Sequence, residues 1–113
     1  MIIEYSNKKI EKICTDLKHS KKKLGDRESI NLFKMINFIE NIDSVEELIN
    51  MKRYRLHILN YTGGIYSLSP GGVRMSIRVK VYFKDNSSNI VADISNTKII
   101  RIVSIQEVGT HYE

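Results

Sequence analysis

The stretch VRMSIRVKVYF, residues 73 to 83, alternates with a period of two along its whole length. Successive strand side chains point to opposite faces, so Met75, Ile77, Val79, Val81 and Phe83 share one side. Arg74, Ser76, Arg78, Lys80 and Tyr82 share the other. One face reads as core and the other as a polar, cationic surface. Such a strand belongs to an antiparallel sheet covered on one side, because a strand buried on both faces reads as a continuous apolar run.

Upstream, the turn signals TGG at 62 to 64 and PGG at 70 to 72 bracket IYSLS, and YRLHILN at 54 to 60 precedes them. In YRLHILN, alternation predicts Tyr54, Leu56 and Ile58 on one side, with Arg55 and His57 together on the other. Downstream, KDNSSN is a loop and IVADISNT reads as irregular. KIIRIVSIQEV at 98 to 108 is a strand without clean alternation, as expected of one covered on both faces.

The N-terminal half is helical after a short strand, IIEY at 2 to 5. Ser6 or Asn7 can cap a helix in which Ile10, Ile13, Cys14 and Leu17 follow the i, i+3, i+4, i+7 spacing of a buried stripe. The basic run KHSKKK at 18 to 23 suits the negative end of its dipole. Gly25 interrupts the chain, and from Asp26 a second helix is predicted to about Ile42 on Ile30, Phe33, Ile36 and Ile39, widened by Leu32 and Met35. Ser44 and Glu47 form a capping box for a short helix, SVEELIN. The order predicts a single α+β domain over 1–113, with an N-terminal strand and a helical hairpin packed on one face of a small antiparallel sheet.

A chain of 113 residues can bury a core without covalent staples. Cys14 is the single cysteine and permits no internal disulfide; MIIEYSNKK lacks a secretory apolar run, and no stretch approaches membrane length. These features predict a cytoplasmic protein away from the membrane. Eighteen basic against thirteen acidic residues leave a net charge of +5, which favours an anionic partner such as nucleic acid or an acidic protein. Cys14, His19, His57 and His111 lack zinc-site spacing, and the glycine pairs lack the lysine and hydroxyl of a phosphate loop. No GxSxG elbow or carboxylate cluster is present, so no metal or cofactor is called for. Metal-free RNA cleavage remains open. The 2′-OH of RNA can itself attack the adjacent phosphodiester, given a base, a cation for the phosphate and an acid for the leaving oxygen.

The segments RLH at 55 to 57, Gly64 with YSL at 66 to 68, GGVRM at 71 to 75 and VSIQEVGTHY at 103 to 112 resemble the RelE/ParE toxin superfamily, and most closely its HigB-type members. The resemblance covers roughly residues 53 to 84 and 98 to 112; in the N-terminal half only the order of elements agrees. It implies the toxin of a type II toxin–antitoxin pair, a metal-independent endoribonuclease (mRNA interferase) that cuts mRNA on the ribosome. It further implies a HigA-like helix-turn-helix antitoxin as partner, with operator DNA bound only through that complex. By the same resemblance His57 is an acid/base or phosphate-contacting residue, Arg74 neutralises the scissile phosphate, and His111 and Tyr112 supply a terminal acid/base and an aromatic platform. The RNA-contacting cations are then Arg53, Arg55, Arg78 and Lys80. Asn60 stands where the family often has lysine, and THY stands at 110 to 112 where the family pattern resembles DYH. Two alternatives share the fold: a ParE-like inhibitor of DNA gyrase, and a non-catalytic basic nucleic-acid-binding module.

Overall fold

The structure is a computed structural model and describes residues 1–110. Strand β1 (Ile2–Tyr5) leads into helices α1 (Lys8–Thr15), α2 (Leu17–Leu24), α3 (Asp26–Asn41) and α4 (Val45–Asn50). A 3₁₀ turn (Lys52–Tyr54) then opens the sheet-forming half: β2 (His57–Ile58), β3 (Tyr66–Leu68), β4 (Ile77–Asp85) and, after a second 3₁₀ turn, β5 (Ile100–Thr110). The sheet order is β1-β5-β4-β3-β2, with β1 parallel to β5 and the other pairs antiparallel. The fold is α+β, as the sequence predicts. β1 enters the sheet itself, and β5 becomes an interior strand, which explains its missing alternation: Val103, Ser104 and Ile105 are all buried.

The core lies between helices and sheet. Ile10, Ile13 and Cys14 of α1, Leu32, Met35, Ile36 and Ile39 of α3, and Val45 and Leu48 of α4 pack with Leu68, Val79, Val81, Phe83, Val103 and Ile105. Across the sheet, Lys84 Nζ lies 2.6 Å from Glu4 Oε2 and ties β4 to β1 over β5. The Lys84 bond, helped by the Ser104 hydroxyl, holds the Glu4 carboxyl below its ordinary range. That contribution is present above the unfolded carboxylate's titration and is lost as pH falls through the folded one.

Local expectations change in three regions, the first of them the helical half. The predicted first helix is two helices, because Asp16 ends one and starts the next. Its backbone N–H donates to Lys12 O, while its carboxylate accepts from His19 N at 3.1 Å. The break turns the apolar stripe, leaving Leu17 40% exposed. In α3 the buried face runs through Leu32, Met35, Ile36 and Ile39, whereas Ile30 is exposed and Phe33 only half-buried. Gly25, with φ of 89°, caps this helix without a side-chain bond, and Asp26 is its first residue. The α4 box is formed with a shift: Ser44 Oγ accepts from Glu46 N, and Glu47 reaches back to Asp43 N.

The second change lies in YRLHILN. Lys52–Tyr54 winds as a 3₁₀ turn and Arg55 is left-handed (φ 51°, ψ 44°), so the strand starts only at His57. The two-residue β2 lies at the sheet edge and both of its residues are exposed, so Ile58 is 45% exposed instead of buried. The third change lies in the opening segment. Ile77, Val79, Val81 and Phe83 are buried as alternation requires, but residues 73 to 76 belong to a turn. Glu28 Oε2 of α3 accepts from Ser76 N, Ser76 Oγ and Ile77 N at 3.1, 2.8 and 3.1 Å, taking donors that would otherwise extend the strand.

Cys14 is 2% exposed, and burial pushes its thiol up to about 12. Thiolate is the reactive form, and an acidity weakened this far makes it on the order of 10³-fold scarcer at neutral pH. A less acidic thiol gives a more nucleophilic thiolate, which offsets part of this, so alkylation by iodoacetamide is expected to run roughly 30-fold or more slower in the folded chain than in denaturant. A native rate within tenfold of the unfolded one would mean that the α1 stripe opens readily.

Candidate nucleic-acid site

On the sheet face away from the core, the strand registers line up one transverse row. His57 on β2 pairs with Ser67 on β3, Ser67 with Lys80 on β4, and Lys80 with Glu107 on β5. Ser67 is small and buried, and the next pair on β4 and β5, Arg78 with Gly109, has no side chain on one member. Long side chains around these small positions leave a hollow of about 370 Å³ lined by Arg55, His57, Leu59, Ser67, Arg78, Lys80, Glu107, Gly109 and Thr110. At a strand spacing of ~4.8 Å, the backbones of His57 and Lys80 stand roughly 10 Å apart, a gap that their side chains can close around a phosphodiester.

His57 Nδ1 lies 2.7 Å from Arg55 O. A carbonyl oxygen only accepts, so Nδ1 carries the hydrogen and Nε2 of the neutral ring keeps its lone pair. That is the tautomer a proton-accepting imidazole needs. Arg78 Nη1 donates to Met75 O at 2.6 Å and Ile77 O at 2.8 Å, which fixes the guanidinium and leaves its other nitrogens for a ligand. Lys80 Nζ lies 3.3 Å from Glu107 Oε1, with the side chains 38% and 55% exposed. An ion pair this wet contributes at most about 1 kcal/mol, so a phosphate can take the lysine from it.

A second hollow of about 380 Å³ adjoins the first and is lined by Lys52, Arg53, Arg55, Gly71, Gly72, Val73 and Arg74. Arg55 lines both. The structure thus gathers His57, Arg55, Arg78 and Lys80 as expected, but puts Arg74 and Arg53 next door. The sequence places Arg74 on the strand face with Arg78; the Glu28-anchored turn removes it from that face. His111 and Tyr112 lie outside the described residues.

Lys52, Ser67 and Glu107 were not singled out from the sequence. Ser67 follows from the register alone. Glu107 reaches its place opposite Lys80 through a bulge: Lys80 pairs with Glu107 and Val81 with Ile105, leaving Gln106 as the extra residue. Nothing in an irregular apolar run announces that extra residue. Lys52 was legible only as a neighbour of Arg53. Tyr61, at the tip of the turn joining β2 to β3, is fully exposed with φ of 63°. Among the described residues, no three His, Cys, Asp or Glu side chains gather as a metal-binding group.

Comparison with protein-family models, with curated proteins and with solved structures finds no match for this chain.

Proposed function

We propose that this chain is a HigB-type toxin of the RelE/ParE superfamily, which cleaves ribosome-bound mRNA by metal-free acid/base chemistry. The observation that carries the reading is the His57 imidazole, held by Arg55 O in its Nδ1–H form at the rim of a hollow that also presents Arg78 and Lys80. In that arrangement Nε2 takes the proton of the RNA 2′-OH, the 2′ oxygen bonds to phosphorus, and the bond from phosphorus to the 5′ oxygen breaks. Arg78 and Lys80 face the charge that develops on the phosphoryl oxygens. The proton for the leaving 5′ oxygen falls to His111 by the family resemblance. The products are a 2′,3′-cyclic phosphate and a 5′-hydroxyl end.

The partners follow from the same reading: the ribosome with its mRNA in the cytoplasm, and a helix-turn-helix antitoxin whose complex binds operator DNA. Among the described residues no helix is long and apolar enough to cross a membrane. An acidic antitoxin segment would find in the two hollows the cations that RNA finds.

Expression of the chain alone is expected to arrest growth and to generate new 5′-hydroxyl ends in ribosome-bound mRNA, both suppressed by the antitoxin. Intact mRNA alongside DNA gyrase trapped on broken DNA would transfer the chain to the gyrase-inhibitor reading. RNA binding without cleavage or arrest would leave the binding-module reading.

A further inference from the structure

We infer that the second hollow is a separate phosphate subsite, in which Arg74 holds a non-scissile phosphate of single-stranded RNA rather than the phosphate that is cut. The inference rests on the reading of the first hollow as the cleavage site, and it departs from the role that family resemblance assigns to Arg74.

Four cationic residues, Lys52, Arg53, Arg55 and Arg74, line the second hollow, and no carboxylate is among its lining residues. Among the described residues the ion pairs are Lys80 with Glu107 and Lys84 with Glu4, so none of these four cations is neutralised by an acid. Like charges gathered without an ion-pair partner repel one another in the free protein, and an anion relieves that cost. The first hollow differs on this point, since Glu107 stands inside it beside Lys80.

The backbone of the second hollow suits a close approach. Gly71 and Gly72 line it without side chains, and Gly72 takes a φ of 76°. A Cβ on Gly71 would stand 2.2 Å from Met75 Cγ and 2.5 Å from Met75 Cβ, so the turn closes only around glycine. The same turn is held from α3 by Glu28 through its three bonds to Ser76 and Ile77, which gives Arg74 a fixed base off the strand face.

Arg55 connects the two hollows. It is a non-glycine residue in the left-handed region, a conformation with a steric cost, and it lines both sites while its carbonyl orients His57. One residue shared by two adjoining anion sites is the arrangement expected for neighbouring phosphates on one strand. Contacts to phosphates position a strand without reading its sequence. The cleavage hollow has its own fixed guanidinium in Arg78, so the chemistry does not need Arg74 there.

A phosphate that does not react is bound alike in the ground and transition states, so losing its contact raises KM and leaves kcat in place. The test compares the full chain with Arg74→Ala, Arg74→Lys and the double variant Lys52→Ala/Arg53→Ala in cleavage of mRNA on programmed ribosomes. Arg74→Ala is expected to raise KM about tenfold with kcat within twofold of the parent. Arg74→Lys should recover most of the loss, because a lysine still contacts a phosphate as a point charge.

Equilibrium binding of a short single-stranded RNA supplies the second arm. The slope of log affinity against log salt should fall by roughly 0.7 for each phosphate contact removed. A 100-fold loss of kcat at unchanged KM in Arg74→Ala would overturn the inference, because it would put Arg74 on the scissile phosphate. A parent that cleaves nothing would remove the nuclease reading alone, and the salt slope would still decide the subsite: a smaller slope in Arg74→Ala supports it, an unchanged slope overturns it.

Discussion

Replacing His57 by glutamine is expected to lower kcat for mRNA cleavage by about 10²- to 10⁴-fold, the range typical of a lost general acid or base. Glutamine keeps a polar side chain of similar reach, but its amide cannot accept a proton from the 2′-OH at neutral pH. The side chain is exposed, and its hydrogen bond from Nδ1 to Arg55 O is worth only about 1 kcal/mol. Thermal stability should therefore stay close to that of the parent while activity collapses, and measuring both separates a chemical role from a structural one. Binding of the variant to single-stranded RNA should be little changed, because Arg55, Arg78 and Lys80 still line the hollow. A variant that cuts within threefold of the parent would take the general base away from His57 and leave the hollow as a phosphate-binding surface only.

Phe83→Ala is expected to cost about 3–5 kcal/mol of stability, the usual range for truncating a buried aromatic. Phe83 has no exposed surface, and its ring meets Tyr66 edge-on with centroids 5.2 Å apart. The Tyr66 hydroxyl donates to Ala92 O at 2.6 Å, which limits how far that ring can follow into the space left behind. Domains of this kind are stable by only about 5–15 kcal/mol, so the loss would consume a large share of the total and lower Tm by on the order of 10–20 °C. Urea unfolding at constant m-value measures it. Lys80→Met, three residues away on the opposite face of β4, is the control: its partner Glu107 is more than half exposed, and the change should stay within about 1 kcal/mol. Comparable losses from both variants would contradict the division of β4 into a core face and a wet cationic face.

That division was legible from VRMSIRVKVYF because side-chain direction along a strand follows from spacing alone. Ile77, Val79, Val81 and Phe83 went inward and Arg78 and Lys80 outward without reference to any other segment. The apolar stripe of α1 was read the same way up to Cys14, and the breaks at Gly25 and before β3 were visible as glycine punctuation. Of the candidate site, His57, Arg55, Arg78 and Lys80 were found from residue type and motif, and the fold brings those four into one hollow.

What periodicity could not supply is where each run starts, because that depends on which backbone donors are claimed by distant residues. Arg74 looked like part of the strand face until Glu28, 48 positions before Ser76, took the N–H groups of Ser76 and Ile77. Arg55 looked like the outward neighbour of His57 until a 3₁₀ turn left it in the left-handed region, lining two hollows at once. The parallel pairing of β1 with β5 joins residues a hundred positions apart, and the bulge at Gln106 sets Glu107 against Lys80. The amino-acid sequence by itself determined the class of fold, the two faces of β4 and the cationic character of the exposed one, since these rest on local spacing and residue type. Only the tertiary structure decided that the cations divide between two adjoining hollows, because long-range hydrogen bonds and strand register select among arrangements that local spacing leaves equal.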